Sequence, residues 1–194
     1  TGLAAWIDGM KSMMPAMVIL ILAWGIGDVC SDLDTADYLV AQLSDSLNPG
    51  WLPALTFFLA AVTAFSTGTS WATMSILIPL AVPTAVGVSQ AAGYDAGATH
   101  GIMLGAVSSV LAGALFGDHC SPISDTTVMS SMASGCDHVD HVRTQLPYAL
   151  SVAVVALVVG YVPVGFGLSP WIGLLLGVVV LYGFLRLIGR RADG

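Results

Sequence analysis

The sequence contains no glutamate and very little charge of either sign. All 12 of its acidic residues are aspartates, lysine and arginine together number 5, and charged residues make up 9% of the 194 positions, against 56% hydrophobic ones. A protein of this size needs far more charged surface to dissolve in water. The scarcity of charge therefore excludes an ordinary soluble domain and favours a protein embedded in a lipid bilayer.

Basic residues and cysteines are also scarce, and each scarcity excludes a further class of protein. The net charge is −7 and no basic cluster is present, so nucleic acid is not an expected partner. Cys30, Cys120 and Cys136 are an odd number and lie in or beside apolar segments, which argues against a secreted disulfide framework. No signal peptide is visible, and the absence of a methionine before Thr1 suggests that the chain continues a longer reading frame or follows processing.

Long apolar runs take the place of the missing charge. They predict an all-α polytopic membrane protein in which residues 1–194 form a single transmembrane domain in contact with lipid. The predicted segments are spans at about 13–30, 145–163 and 170–188, a helical hairpin at 51–89 and a broken helix at 100–134.

The predicted hairpin has a polar tip, Ser66-Thr67-Gly68-Thr69-Ser70, between two apolar arms. An arm of about 15 residues reaches about 22 Å, short of the roughly 30 Å of hydrocarbon, so the sequence predicts two helices that meet inside the membrane as a re-entrant hairpin. Gly68 would permit a close backbone approach at the tip. The hydroxyls there have two interpretations: they complete a binding site, or they satisfy the ends of their own helices.

The predicted broken helix is interrupted by a polar segment from Gly117 to Thr127. An aspartate in hydrocarbon costs at least a few kcal/mol, so Asp118 and Asp125 need a partner, a proton or a cation. A helix break also frees backbone carbonyl and amide groups near those side chains. Carboxylate, hydroxyl and carbonyl oxygens suit a small hard cation.

Two sets of site residues follow from the hairpin tip and the break. The predicted ion- and substrate-binding residues are Ser66, Thr67, Gly68, Thr69, Ser70, Asp118, Ser121, Ser124, Asp125 and Thr126. The predicted Na⁺ ligands among them are Asp118, Ser121, Thr67 and Thr69.

Three stretches of the sequence resemble the NhaC family of sodium/proton antiporters. They read GDHCSPISDTTVMSS from Gly117, SGCDHVDHVRTQLPYAL from Ser134 and FSTGTSWATMSILIPLAVP from Phe65. The resemblance implies the C-terminal half of such a protein, an inverted-repeat half with a hairpin and a discontinuous helix. It implies a secondary antiporter that exchanges Na⁺, or Na⁺ with a small organic anion, against H⁺. Na⁺ and H⁺ are then the transported ions, and no cofactor is expected. It also implies a second transporter half as partner, located upstream in the same chain, in a partner chain or in a second copy.

Orientation follows from the few basic residues. If the arginines at the C-terminus are cytoplasmic, counting back through the spans places Lys11 and Arg143 on the same side, as the positive-inside bias requires. The sequence thus predicts a multi-pass protein of the cell's inner or plasma membrane with a cytoplasmic C-terminus.

Other interpretations of the polar residues remain open. Residues 118–120 and 136–138 each combine Asp, His and Cys, but a helical spacing of about 24 Å and the lack of a CxxC pair disfavour zinc. Four residues of a predicted loop form either a solvated polar face or a pH-sensing element: His138, Asp140, His141 and Arg143.

Rival functions from other classes also need to be considered. Gly25 to Asp28 and Tyr94-Asp95 are similar to the motifs of intramembrane aspartyl proteases, but in reversed order and near the outer ends of their segments, so an enzyme is not expected. A membrane assembly subunit without transport of its own is the other alternative.

Overall fold

The computed structural model describes residues 2–43 and 46–189, and within these ranges the chain is helical and contains no strand. The helices are α1 (Gly2–Asp32), α2 (Thr35–Leu43), α3 (Leu52–Thr67), α4 (Ser70–Ala91), α5 (Ala96–Cys120), α6 (Asp125–Ala133), α7 (His138–Val155), α8 (Val162–Gly165) and α9 (Pro170–Ile188). A 3-10 turn, Pro49–Trp51, precedes α3, and a π-helical segment, Ala156–Tyr161, joins α7 to α8.

Five helical segments are long and apolar enough to cross a membrane. They are Pro49–Thr67, Ser70–Ala91, Ala96–Cys120, His138–Gly165 and Pro170–Leu187. Many of their large apolar side chains face outward, among them Leu174 and Leu175 of α9, which are 63% and 66% exposed. Such surfaces are stable in lipid but not in water, so the prediction of an all-α polytopic membrane protein is confirmed.

The first predicted span, residues 13–30, lies inside the longer helix α1. At 1.5 Å per residue, the 31 residues of α1 extend about 46 Å, well beyond the thickness of a hydrocarbon core. Several side chains of α1 lie outside the described part of the chain. The helix contacts α2 and α4 and carries none of the predicted site residues.

The two arms of the hairpin are longer than the sequence predicts. Ser66 and Thr67 belong to the helix α3, and their hydroxyls donate to the carbonyls of Val62 and Thr63, both at 2.8 Å. The tip therefore shrinks to two residues, and each arm reaches a length that can cross the hydrocarbon. The expectation of arms too short to span was wrong, because Ser66 and Thr67 still belong to the first helix and Ser70 already begins the second.

Alanine and glycine let α3, α4 and α5 pack closely. Ala60, Ala64 and Ala114 are fully buried at the centre of this bundle. On α5, Gly113 and Gly117 face the backbone of α3, where an added Cβ would collide with the carbonyl oxygens of Phe57 and Ala61. Small residues of this kind allow membrane helices to approach backbone to backbone. This contact brings the end of α3 against the end of α5.

The helix that begins with α7 starts seven residues earlier than the predicted span at 145–163. Asp137 caps it by accepting hydrogen bonds from the backbone N–H groups of Val139 at 2.9 Å and Asp140 at 3.1 Å. Residues 138–143 consequently lie on the first turns of a helix and not in a loop. At its other end, the Tyr161 hydroxyl donates to the Ser108 carbonyl at 3.3 Å and holds the π-helical segment against α5.

Candidate functional site

Asp118 lies in the last turn of α5 and is 8% exposed. The non-helical segment that follows it covers only residues 121–124, whereas the sequence predicted an interruption from 117 to 127. Helix α5 continues through Cys120, so Asp118 is positioned by a regular helix and not by a loop. A carboxylate buried at the end of a membrane helix requires compensation from its surroundings.

Three hydroxyl groups surround the Asp118 carboxylate. Ser124 donates to Oδ1 at 2.7 Å, Ser70 donates to Oδ2 at 3.1 Å, and the Thr126 hydroxyl lies 3.5 Å from Oδ2 and 2.8 Å from the Ser124 hydroxyl. We call Ser70, Ser124 and Thr126 the hydroxyl cluster. Ser70 belongs to the hairpin and the other two to the break, so both polar segments meet at one buried carboxylate.

Two helix N-termini carry the hydroxyl cluster. Ser70 is the first residue of α4, and Ser124 caps α6 by accepting a hydrogen bond from the Thr126 N–H at 3.2 Å. The positive ends of both helix dipoles therefore lie close to Asp118, which favours negative charge there. Gly68 makes the approach possible: its φ of +70° suits glycine, and an added Cβ would lie 2.9 Å from the Ile123 carbonyl.

Further hydrogen bonds hold the break in place. The buried Ser121 hydroxyl donates to the Phe65 carbonyl at 2.8 Å and so joins the break to α3. The His119 carbonyl accepts from Thr127 at 3.3 Å and from Gln145 at 3.0 Å. The His119 carbonyl, one of those that the helix break was expected to free for a cation, thus already accepts two hydrogen bonds.

Several predicted site residues lie apart from Asp118. Ser66 and Thr67 are exposed and bond to carbonyls of their own helix, while Thr69 accepts a hydrogen bond from Thr73 through its backbone carbonyl at 2.9 Å. Asp125 is exposed, and no hydrogen bond joins its side chain to another described residue. A helical serine or threonine without a tertiary acceptor bonds to the preceding turn, which explains why Thr67 is not directed at the site.

The predicted Na⁺ ligands are thus only partly assembled. Asp118 is buried at the meeting point, but Ser121 is directed to α3 and Thr67 and Thr69 make contacts within the hairpin. Ser70, Ser124 and Thr126, which the sequence assigned to the wider binding set, are the residues the structure brings to Asp118.

Sequence reasoning did not select Gln145 as a contact of the site. Its side-chain amide donates to the His119 carbonyl at 3.0 Å and joins α7 to the end of α5. The available signal was an amide side chain at the beginning of a predicted span, where apolar residues dominate.

The potential metal ligands nearest to Asp118 are oxygen atoms. Over the described ranges, no three His, Cys, Asp or Glu side chains lie together as a metal-holding group. Cys120 is buried and Cys136 is exposed. One carboxylate with several hydroxyls suits a proton or a small hard cation better than a soft metal.

Comparison with known proteins identifies the family. A family model described as the Na⁺/H⁺ antiporter family matches residues 3–166. The chain belongs to this family. The match confirms the resemblance inferred from the hairpin tip and the break, and it points to a transporter rather than an enzyme.

Individual relatives match over most of the chain, and two of those described next are named as antiporters. An "uncharacterized protein" of Haemophilus influenzae is 42% identical over 187 residues, 96% of this chain and 34% of the relative. The "Na(+)/H(+) antiporter NhaC" of Alkalihalophilus pseudofirmus is 27% identical over 163 residues, 81% of this chain and 32% of the relative. The "Malate-2H(+)/Na(+)-lactate antiporter" of Bacillus subtilis is 28% identical, over 84% of this chain and 32% of the relative. The chain spans about a third of the length of the curated relatives it matches, and no solved structure matches it.

Proposed function

We propose that this chain is part of a secondary active antiporter that exchanges Na⁺ for H⁺ at Asp118. The observation that carries the proposal is the buried carboxylate, which receives hydrogen bonds from the hairpin and from the break at distances of 3.1 and 2.7 Å. Membership of the Na⁺/H⁺ antiporter family supports the class of reaction.

The exchange would rest on competition for one carboxylate. In this proposal a proton and a cation compete for the Asp118 carboxylate, because a buried carboxylate in a membrane protein is costly without a partner. Binding of one ion therefore expels the other. Coupled exchange follows when the carboxylate faces the two sides of the membrane in turn.

The hydroxyl cluster would complete the cation's shell. Each hydroxyl has two lone pairs, so Ser70, Ser124 and Thr126 can rotate from donating to Asp118 to coordinating Na⁺. The remaining ligands would come from water or from a second transporter half, which is the partner we propose for this chain.

A small organic anion is a second candidate cargo, carried together with Na⁺. The name of the Bacillus subtilis relative includes malate and lactate. The N-termini of α4 and α6 beside Asp118 also provide the kind of positive potential that attracts carboxylates.

Transport in proteoliposomes tests the proposal. Na⁺-dependent dissipation of a pH gradient is measured for the chain by itself and for the chain paired with a second half, with Asp118→Asn and Asp95→Asn in each form. Asp95 caps α5 at its opposite end, where it accepts from the Ala98 N–H at 2.7 Å, and asparagine caps almost equally well. We expect Asp118→Asn to abolish exchange and Asp95→Asn to preserve it.

The same measurement separates the rival functions. Undiminished exchange in Asp118→Asn would refute the role of this carboxylate. A membrane assembly subunit would not transport ions in either form, so Asp118→Asn would leave the measured pH gradient unchanged. An intramembrane protease would cleave peptides without Na⁺, although the cap contact already engages Asp95, one of the two aspartates such an enzyme would need.

A further inference from the structure

His138 links three parts of the chain around the break. It is the first residue of α7, directly after the capping Asp137. Its Nε2 lies 2.7 Å from the Pro122 carbonyl in the break, and its Nδ1 lies 3.1 Å from the Ser131 hydroxyl on α6. A single side chain thus connects the break, α6 and α7.

The donor is certain for one of these two hydrogen bonds. A carbonyl oxygen only accepts, so Nε2 must carry a hydrogen and donate it to Pro122. The Ser131 hydroxyl lies 2.8 Å from the Val128 carbonyl as well, and its single hydrogen serves either that carbonyl or Nδ1. The bond to Pro122 is present in both arrangements, and it is one of the contacts that restrain the break.

The restrained carbonyl belongs to a very short segment. Residues 121–124 are held from one side by the hydrogen bond from Ser121 to the Phe65 carbonyl and from the other side by His138. Ser124, which donates to Asp118 at 2.7 Å, ends this segment two residues after Pro122. Ser124 keeps its own backbone bonds to Ser121 at 3.4 Å and Val128 at 3.0 Å, so releasing Pro122 would loosen the segment and shift the position of Ser124 without unfolding α6.

We propose that His138 is a positioning residue for the cation site and acts through the Pro122 carbonyl. The inference rests on the proposed function, because it concerns how tightly the Asp118 site binds Na⁺. His138 makes no contact with Asp118 itself within the described residues; it sets the position of a side chain that does.

Three substitutions distinguish the two ring nitrogens. The amide nitrogen of glutamine can take the place of Nε2, whereas that of asparagine reaches only the place of Nδ1. We expect His138→Gln to retain the Na⁺ KM of exchange within about twofold. His138→Asn and His138→Ala should raise that KM by up to about tenfold, the effect of one hydrogen bond, with a smaller change in the maximal rate. His100→Ala, an exposed histidine at the start of α5, is the matched control and should behave as the unchanged chain.

A binding measurement accompanies the transport assay. The midpoint of Na⁺-dependent thermal stabilisation in detergent should shift for the Asn and Ala variants and not for Gln. Equal behaviour of Asn and Gln, or wild-type behaviour of Ala, overturns the inference while leaving Asp118 in its role. Loss of the folded protein in these variants assigns His138 a purely structural role and also overturns it. If the unchanged chain responds to Na⁺ no more than Asp118→Asn does, the proposed function itself fails, and the inference fails with it.

Discussion

Ser124 has two roles at the residue scale, since it caps α6 and donates to Asp118 at 2.7 Å. A hydrogen bond to a charged group contributes about 1.5–3 kcal/mol. We expect Ser124→Ala to raise the Na⁺ KM of exchange about tenfold in proteoliposomes. The control is Ser130→Ala, whose hydroxyl donates within α6 to the Thr126 carbonyl at 2.7 Å. Equal KM values for the two variants would remove Ser124 from the site.

Gly68 tests whether the hairpin tip really abuts the break. Gly68→Ala and Gly93→Ala both place a side chain at positive φ, +70° and +78°, with a common cost of about 1–2 kcal/mol. Only at Gly68 would the new Cβ also meet the Ile123 carbonyl, at 2.9 Å, because Gly93 has open space around it. We expect a lower melting temperature in detergent for Gly68→Ala than for Gly93→Ala. Identical melting temperatures would mean that the tip and the break are not in contact.

Individual site residues were predictable to different degrees. Asp118 was predictable because a carboxylate in an apolar span is costly and must be used or neutralised. The acceptor of the Thr67 hydroxyl was not predictable. A hydroxyl at a helix end can donate to its own helix or to a neighbouring helix, and only the tertiary structure shows which one it uses. The partner of Ser121 is the backbone carbonyl of Phe65, and a backbone atom leaves no trace in the sequence.

At the scale of elements, the contact between α3 and α5 depends on glycine. An alanine at position 117 would bring its Cβ onto the Ala61 carbonyl and within 2.8 Å of the Phe65 nitrogen. We expect Gly117→Ala to lower the yield of folded protein and its melting temperature, because the backbone atoms of α3 cannot move aside. Gly101→Ala on the same helix meets nothing within 4 Å and is the control. A stable Gly117→Ala variant would contradict the close packing.

Helix existence was predictable from the apolar runs, but helix ends were not. Pro79 and Pro83 lie inside α4 without ending it, since neighbouring helices can support a membrane helix that lacks one hydrogen bond. The start of α7 depends on the Asp137 cap. From the sequence, the polar stretch after it was interpreted as a loop, and this cap was therefore missed. Long segments are specified by composition, whereas their boundaries are set by single side-chain contacts.

At the scale of the whole molecule, orientation is open to a chemical test. Cys136 is exposed just before α7, and two spanning segments separate it from residue 189, so both positions belong to the same side of the membrane. With the C-terminus cytoplasmic, Cys136 in a Cys30→Ala, Cys120→Ala background should react with an impermeant maleimide from the cytoplasmic face. Inside-out and right-side-out vesicles provide the comparison. Labelling from the external face would reverse the proposed orientation.

The depth of the site was beyond sequence analysis. Asp118 lies about 33 Å along α5 from Ala96, and the bond from Gln145 to His119 puts it level with the first turns of α7. A helix break identifies which residues form a site but not how far along the neighbouring helices they lie.

The glycine contact between α3 and α5 has a mechanical consequence. Two helices whose backbones touch at Gly113 and Gly117 cannot slide past each other, and Ser121 joins their ends. The hairpin tip, the break and Asp118 should then move as one rigid body, together with any ion bound to them. Alternating exposure would come from surrounding helices shifting against this unit. The contacts of Ser70 and Ser124 with Asp118 would then persist while the site opens to one side and then to the other.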